Sequence, residues 1–455
     1  MNYTHRAYVP GETIAAIATP PGEGGVAVIR ISGSDALGVA DKIFSGPVLS
    51  YKTHTAHFGK ILNHEGIAID EGLALVMLSP RSYTGEDTVE IHCHGGSLIS
   101  KRVLNTILKA GARAAQPGEF TFRAFINGKL DLAQGEAVQQ LIGAKNDLAV
   151  KMAEQQLQGK ISKKIASFQK RLTDIAAILE AWVDFPEEDL EFATMDEVIA
   201  ALKSVLQEMQ HLALTFHDGQ ILSHGIALCL TGPPNVGKSS LMNALLGKER
   251  AIVTDIPGTT RDLLEEEMKL GNLHFRLIDT AGIRDTQEIV EKEGIRRSKL
   301  AMEQADLILL VLDAAQGICA ESQKLIQSAP KEKTLLIWNK IDLPHAKLAP
   351  ENTISISAKE GIGLHELYQH IDRLIWRQGP PSKEEVVITS LRHHQALSSA
   401  IHALQTLIEG LQTGVSPEFV SSDMRATLSE LGMILGTNIS EDILTAIFSK
   451  FCIGK

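Results

Sequence analysis

The chain has 455 residues, 44% hydrophobic and 22% charged, with a net charge of −11. That length supports two or three domains with their own cores, and the negative balance means that any nucleic-acid contact must use a local basic patch. No basic leader precedes an apolar stretch at the N-terminus, no apolar run nears the ~20 residues of a membrane span, and Cys93, Cys229, Cys319 and Cys452 are too scattered for a disulfide framework, so the expectation is a cytoplasmic protein.

Residues 1–120 mix short β-like runs ("GGVAVIRIS", "LALVML") with a helical stretch ("SLISKRVLNTILKAG"), punctuated by Gly and Pro, which predicts a small α+β domain. From about residue 127 the character changes: residues 129–185 have no Pro and apolar residues recur every three or four positions, the pattern of amphipathic helices. At "HGIALCLTGPPNVGKSSLMNALLG" the pattern becomes strand, Gly-rich loop, helix. The apolar strands "FRLIDTAG", "ADLILLVLDA" and "KTLLIWNKIDL" follow, separated by helical segments. This βαβ succession predicts a mostly parallel sheet covered on both faces. After "RQGPPSKEE" amphipathic helices resume. The predicted architecture is multidomain: an α+β domain over 1–125, a discontinuous all-α domain over 126–222 and 379–455, and an α/β domain over 223–378 inserted into it, since insertions succeed where host ends lie close together.

"GPPNVGKSS" matches G-x-x-x-x-G-K-[ST] through Gly232, Gly237, Lys238 and Ser239, after an apolar strand and before a helix, the context in which such a loop cradles phosphates. Four motifs follow in the order of a GTPase. "GTTRD" (258–262) lies where switch I belongs. In "DTAG" Asp279 can hold Mg²⁺ through water and the Gly282 N–H can meet the γ-phosphate, "NKID" supplies Asp342 for the N1 and N2 of guanine, and "SAK" supports the base. Leaving a buried carboxylate unpaired is costly, so Asp342 selects guanine over adenine. The predicted GTP-binding set is Asn235, Val236, Gly237, Lys238, Ser239 and Ser240; Thr254, Asp255, Ile256, Pro257, Gly258, Thr259 and Thr260; Asp279, Thr280, Ala281 and Gly282; Asn339, Lys340 and Asp342; and Ser357, Ala358 and Lys359. Ser239 and Thr260 are the candidate Mg²⁺ ligands, and Lys238 the candidate charge on the phosphates.

Ile283 stands where Ras-like enzymes carry a water-orienting glutamine. Another group must therefore position the water and offset charge. An isolated Asn235 is ordinarily a turn residue, but with the glutamine missing its side-chain oxygen, with switch I carbonyls, would suit a hard monovalent cation.

At the far end, Ser440 is a predicted N-cap before Glu441 and Asp442, and Ile443, Leu444, Ile447, Phe448 and Phe451 form one apolar stripe. Cys452 follows on a short tail, where packing competes with chemistry as its role. His92 and His94 share one strand face with Cys93 opposite; two histidines without a third ligand make a poor metal site. Lys160, Lys163, Lys164, Lys170 and Arg171 form a basic run that is either a solvated face or an RNA contact.

Along its whole length the sequence resembles the tRNA-modification GTPases of the MnmE (TrmE) family. The resemblance rests on "TIAAIATPPGEGGVAVIRISG", "SYTGEDTVEIHCHGG", "PGEFTFRAFINGKLDLAQGEA", "GPPNVGKSSLMNALLG", "DIPGTTRD", "DTAGIRD" and the terminal "FCIGK". It implies an N-terminal domain that is folate-binding-like and mediates homodimerisation, with Arg30, Glu90, Lys129 and Lys455 contacting a tetrahydrofolate derivative of the 5-formyl or methylene type. It implies K⁺ at Asn235, Thr254, Ile256 and Thr259, and Glu291 as the catalytic residue that orients the water through an intermediate contact; by itself Glu291 would read as a solvated carboxylate. It also implies a heterotetramer with an FAD-containing MnmG (GidA)-type partner that uses NADH. Together they would build a carboxymethylaminomethyl or aminomethyl group onto C5 of the wobble uridine (U34) of certain tRNAs, with Cys452 a catalytic candidate. Two other readings compete: a ribosome-assembly GTPase switch without modification chemistry, and a stand-alone folate enzyme regulated by its GTPase.

Overall fold

The alternating runs of the N-terminal stretch form a sheet in the order β3-β4-β5-β2-β1-β6. Its strands are β1 (Ile14–Ile17), β2 (Val26–Ser32), β3 (Thr55–Leu62), β4 (Ala68–Met77), β5 (Thr88–His94) and β6 (Arg113–Ala114), antiparallel except for the β1–β6 pair. Period two sorts the residues by face. Ala27, Ile29 and Ile31 of β2, Ala74 and Val76 of β4, and Val89 and Ile91 of β5 are buried in one core with Val39 and Ile43 of α1 (Ala36–Ile43) and Val103 and Ile107 of α2 (Ser97–Ala110). Arg30 and Glu90 alternate with those residues and so sit on the opposite face, directly opposite each other across the β2–β5 pair.

The computed structural model describes residues 9–184, 193–246, 267–270, 273–278, 300–376, 385–415 and 417–454. The chain forms two compact units, one of Met1–Ile142, Gln155–Gln207 and Ala396–Lys455, the other of Gly143–Glu154 and Glu208–Gln395. The first contains the sheet above. It also holds α3 (Glu119–Ile126), α4 (Leu132–Gly143) up to Ile142, the end of α5 (Asp147–Leu157), α6 (Lys160–Asp184) and most of α7 (Met195–Leu214). α6 packs along a later helix, Pro417–Leu435, burying Ile165, Phe168 and Leu172 at helical spacing.

The second unit contains a sheet in the order β12-β11-β10-β7-β9-β8. α8 (Phe216–His224) leads into β7 (Ile226–Thr231), which α9 (Lys238–Leu246) follows. Then come β8 (Glu267–Leu270), β9 (Leu273–Ile278), β10 (Leu307–Asp313), α10 (Ala320–Ser328), β11 (Thr334–Asn339), β12 (Thr353–Ser355) and α11 (Leu364–Ile375). All pairs are parallel except β8–β9. Every residue of β7 and β10 is buried, because both faces are covered. Leu228, Leu309 and Val311 face Leu241 and Leu245 of α9 and Leu367 and Ile371 of α11. Cys229, Ile308 and Leu310 face Ala301, Met302 and Leu325.

The chain closes with α12 (Leu391–Gln412), which spans both units, then α13 (Pro417–Leu435) and α14 (Glu441–Phe448) in the first unit. Ser440 occupies the N-cap of α14 in extended geometry, but its side chain makes no capping hydrogen bond, so the predicted cap is one of position alone. Most of the expected stripe forms: Leu444, Phe448 and Phe451 are buried with Leu132, against Phe122, Phe125 and a half-buried Ile447, whereas Ile443 is half-exposed and outside that cluster.

Candidate functional site

The loop after β7 leaves the sheet at Gly232, where φ is +145° and a Cβ would lie 2.3 Å from the Val311 carbonyl oxygen. It re-enters a helix through Gly237, where φ is +97° and a Cβ would lie 2.4 Å from Asn339 Nδ2. Only glycine fits these two positions. Between them Asn235 holds φ at +61°, the left-handed region that Asn tolerates. Asn235 is exposed while its neighbour Val236 is buried. Lys238 Nζ donates to the Gly232 and Pro233 carbonyls at 2.9 Å each. Ser239 and Ser240 are exposed on the first turn of α9, where the N–H groups and the helix dipole favour an anion.

The base-recognition motifs converge on this loop at the carboxyl ends of β10, β11 and β12, the place where open α/β sheets bind ligands. Asn339, 2% exposed, ties two motifs together: its Nδ2–H donates to the Val236 carbonyl at 2.9 Å, and its Oδ1 accepts the Ala358 N–H at 3.0 Å. Lys340, with φ at +68°, donates from Nζ to the Asn235 carbonyl at 2.5 Å and to Asp313 Oδ2 at 2.7 Å. Asp342, expected as a buried carboxylate, is exposed at the open sheet end, and the Ser357 hydroxyl beside it holds its carboxyl below the usual range. Ser357 itself is fully buried, and Lys359 is exposed. A carboxylate kept ionised at an open sheet end can accept two donors from one ring edge.

Thr254, Asp255, Ile256, Pro257, Gly258, Thr259 and Thr260, Asp279 to Gly282, Ile283 and Glu291 lie outside the described residues, as does Lys455. Asp313 was not singled out in the sequence. It is 4% exposed, ends β10 opposite Asn339, and anchors Lys340; a lone carboxylate closing an apolar strand was the available signal.

In the first unit Arg30 and Glu90 are cross-strand partners. Arg30 Nε donates to Glu90 Oε1 at 2.8 Å, and the two side chains are 16% and 14% exposed. The guanidinium carbon lies 5.4 Å from the Tyr83 ring centroid and 5.6 Å from that of Phe120. Such cation–π contacts orient the planar cation. The Tyr83 hydroxyl bonds Thr121 Oγ1 at 2.9 Å, and burial pushes its pKa upward. Glu90 Oε2 is 3.5 Å from His92 Nε2. Lys129 Nζ donates to the Pro80 carbonyl at 3.0 Å, so one loop, 80–87, carries both the Tyr83 ring and the Lys129 anchor.

The C-terminal tail docks on this domain. Gly118 N–H donates to the Cys452 carbonyl at 3.3 Å, and Pro117 pairs with Ile453. A Cβ on Gly454, where φ is +97°, would lie 2.4 Å from the Ile17 carbonyl oxygen. Ile17 ends β1, next to Ala16, the partner of Arg30 in the ladder. Cys452 is exposed.

On the same sheet face as Arg30, around Arg113 of β6, lies a charged cluster that the sequence did not announce. Arg113 donates from NH2 and NH1 to Glu119 Oε1 and Oε2 at 2.6 and 2.9 Å, and from Nε to Glu12 Oε2 at 2.6 Å. Arg123, fully buried, reaches Glu119 Oε1 at 3.0 Å and Glu86 Oε2 at 2.9 Å. Burial alone would raise the Glu119 pKa, but the Arg113 bond, the Gln116 N–H and the charge of Arg123 hold it low. His94 pairs with Asp70 at 2.7 Å while Cys93 is buried, its thiol pushed up to about 11 by burial and by Asp70. Among the described residues no three His, Cys, Asp or Glu side chains form a metal-binding group, and no helix is long and apolar enough to cross a membrane.

Two family descriptions match the chain: "GTP-binding protein TrmE N-terminus" over residues 13–129 and "MnmE helical domain" over residues 132–452. A tRNA modification GTPase MnmE of Protochlamydia amoebophila is 62% identical over all of both chains, and one of Chlamydia trachomatis serovar A is 45% identical over 98% of this chain and 99% of its own. Among solved structures, the G domain of T. maritima FeoB is 29% identical, covering 33% of this chain and 98% of its own, with a TM-score of 0.25. With a TrmE N-terminal domain, a helical domain and a P-loop G domain, and with full-length relatives at these identities, the chain belongs to the MnmE (TrmE) family of tRNA modification GTPases.

Proposed function

We propose that this chain is a K⁺-dependent GTP hydrolase of tRNA wobble-uridine modification. The carrying observation is the junction at Asn339, which joins the phosphate loop, through Val236, to the base-contacting SAK segment, through Ala358. In this reading the P-loop and α9 N–H groups and Lys238 hold the β- and γ-phosphates, and Asp342 with Ser357 and Ala358 holds guanine. Water attacks the γ-phosphorus, the bond to the β-phosphate oxygen breaks, and GDP and phosphate leave. Ser239 and Thr260 would hold Mg²⁺, with Asp279 behind it, and the ion would neutralise phosphate charge. The Asn235 side chain is exposed at the loop apex and makes no side-chain hydrogen bond among the described residues, which fits a donor to K⁺ alongside Thr254, Ile256 and Thr259. Glu291 orients the water in place of the glutamine that Ile283 replaces.

The reading extends to the first unit. Among the described residues Arg30 uses only Nε, leaving its terminal N–H groups for a folate carboxylate or pterin edge, with Glu90, Lys129 and Lys455 completing the site. Cys452 rides on the docked tail toward the same domain. The domain division is 1–125, 126–222 with 379–455, and 223–378. The chain works as a cytoplasmic homodimer with an FAD- and NADH-using MnmG (GidA)-type partner in a heterotetramer, placing a folate-derived carbon in the aminomethyl or carboxymethylaminomethyl group at C5 of U34.

The test is GTP turnover in KCl and NaCl at equal ionic strength, for wild type and Asn235→Ala. Faster turnover in K⁺ that disappears in the variant is expected. Equal rates in both salts would remove the cation from the mechanism.

A further inference from the structure

The first three turns of α6 carry Lys160, Lys163, Lys164, Lys170 and Arg171, with no Asp or Glu before Asp174, in a chain whose net charge is −11. For Lys160 and Lys163, in the first turn, that placement opposes the helix's own electrostatics. A helix N-terminus disfavours cations by ~0.3–1 kcal/mol each, and like charges four apart, such as Lys160 and Lys164, add a smaller penalty. Two of the five serve the fold: Lys164 Nζ lies 5.0 Å from the Phe168 ring centroid, and Arg171 NH2 donates to Ser204 Oγ at 3.1 Å. The side chains of Lys160, Lys163 and Lys170 have no hydrogen-bond or ion-pair partner among the described residues, and Lys163 and Lys170 are exposed. Lys203, next to Ser204 on α7, is exposed as well.

The chemistry of the face indicates its partner. Ala166, Ser167 and Thr173 are the exposed residues among the lysines, and between Lys160 and Arg171 α6 carries no exposed large apolar side chain. A protein interface needs apolar or aromatic anchors at its centre; a phosphate backbone needs only mobile positive charge. Lys160 and Lys170 are ~15 Å apart along the axis, a span that meets several phosphates of one strand. We propose that this face of α6 docks the sugar-phosphate backbone of tRNA. The inference rests on the tRNA reading above and adds the surface.

The test is filter binding of unfractionated tRNA to the full-length protein across a salt series, with Lys160→Gln, Lys163→Gln and Lys170→Gln combined in one variant that leaves Lys164 and Arg171 in place. Each phosphate contact contributes ~0.7–0.9 to the slope of log affinity against log salt. The variant should therefore show a slope shallower by about two and bind at least ~10-fold more weakly at low salt, with unchanged GTP turnover. The same three positions changed to Arg should restore both slope and affinity. Equal slope and affinity in wild type and the Gln variant would overturn the docking face and leave the tRNA reading standing. Wild type without measurable tRNA affinity at low salt would overturn both. Unchanged tRNA binding with lost binding to polyglutamate would assign the face to an acidic protein and overturn the proposal.

Discussion

Asn339→Ala tests whether one buried amide joins the two halves of the nucleotide site. The substitution removes the donor to the Val236 carbonyl and the acceptor for the Ala358 N–H, bonds of 2.9 and 3.0 Å. Both abandoned groups belong to buried residues, Val236 at 2% and Ala358 at 6% exposure. A buried backbone group left without a partner costs ~1–3 kcal/mol. Two such losses give about 2–6 kcal/mol, and water entering the truncated side chain's space brings the expected total toward the lower half of that range. If half of it falls on the nucleotide-bound state, GDP affinity drops about tenfold, since 1.4 kcal/mol is a factor of ten. A fluorescent-GDP titration reads this part, and urea unfolding followed by tryptophan emission reads the rest; Trp338, buried one residue before Asn339, reports the site directly. Asn339→Asp, which keeps the acceptor and loses the donor, should fall between. An alanine variant within twofold of wild type in affinity and within ~0.5 kcal/mol in stability would refute the coupling.

Glu119→Gln leaves the fully buried Arg123 with one fewer carboxylate and should destabilise the first unit by ~3–5 kcal/mol, read by urea denaturation. Because the folded-state pKa of Glu119 is depressed, its contribution is complete above its unfolded value of about 4.5 and is lost as pH falls through the lower folded value; the variant should therefore lose the acid-side part of the wild-type stability profile. Tyr83→Phe removes only the hydroxyl bond to Thr121 and should cost ~0.5–1.5 kcal/mol, whereas Tyr83→Ala also removes the ring beside Arg30 and should weaken 5-formyl-tetrahydrofolate binding by calorimetry. Gly454→Ala would force a Cβ toward the Ile17 carbonyl. The tail should then lift, and iodoacetamide should alkylate Cys452 at a changed rate; an unchanged rate would show that the glycine contact does not hold the tail.

Contiguous chemistry was legible in the sequence. The P-loop, NKID and SAK each place their residues within nine positions of one another, so a strand, a tight turn and a helix start suffice to bring their groups together. The described parts of these motifs meet at one sheet end. Chemistry assembled across the chain was not legible. Arg123 finds Glu86 and the Glu12 carbonyl over separations of 37 and 111 residues, and each partner alone reads as an ordinary surface charge. The Tyr83 and Phe120 rings beside Arg30 are hidden in the same way, since one lies in a loop and the other at the start of α3. Asp313 was missed for a different reason: an apolar strand ending in Asp reads first as a strand terminus, and only its pairing with Lys340 gives the carboxylate a role. The resemblance named Arg30 and Glu90, and the ladder pairs them; it could not supply the aromatic pair that holds the guanidinium in plane.

The tail shows how an exposed group can still be fixed. Phe448 and Phe451 enter a core with Leu132, against Phe122 and Phe125. The Phe122 and Phe448 rings meet edge to face at a centroid distance of 5.4 Å, an arrangement worth ~0.5–1.5 kcal/mol beyond the area it buries. From that anchor the chain has only to reach Gly118, whose φ of +68° and close approach to the Phe448 carbonyl require the absence of a side chain. The backbone bond from Gly118 to Cys452 and the bridge from Pro117 to Ile453 then set the direction of the last residues. None of these contacts uses the Cys452 side chain. Apolar packing before it and backbone hydrogen bonds on either side hold its backbone, and the thiol is left exposed. That separation of anchoring from exposure contrasts with Cys93, which is buried and whose thiol is pushed up to about 11 by burial and by Asp70.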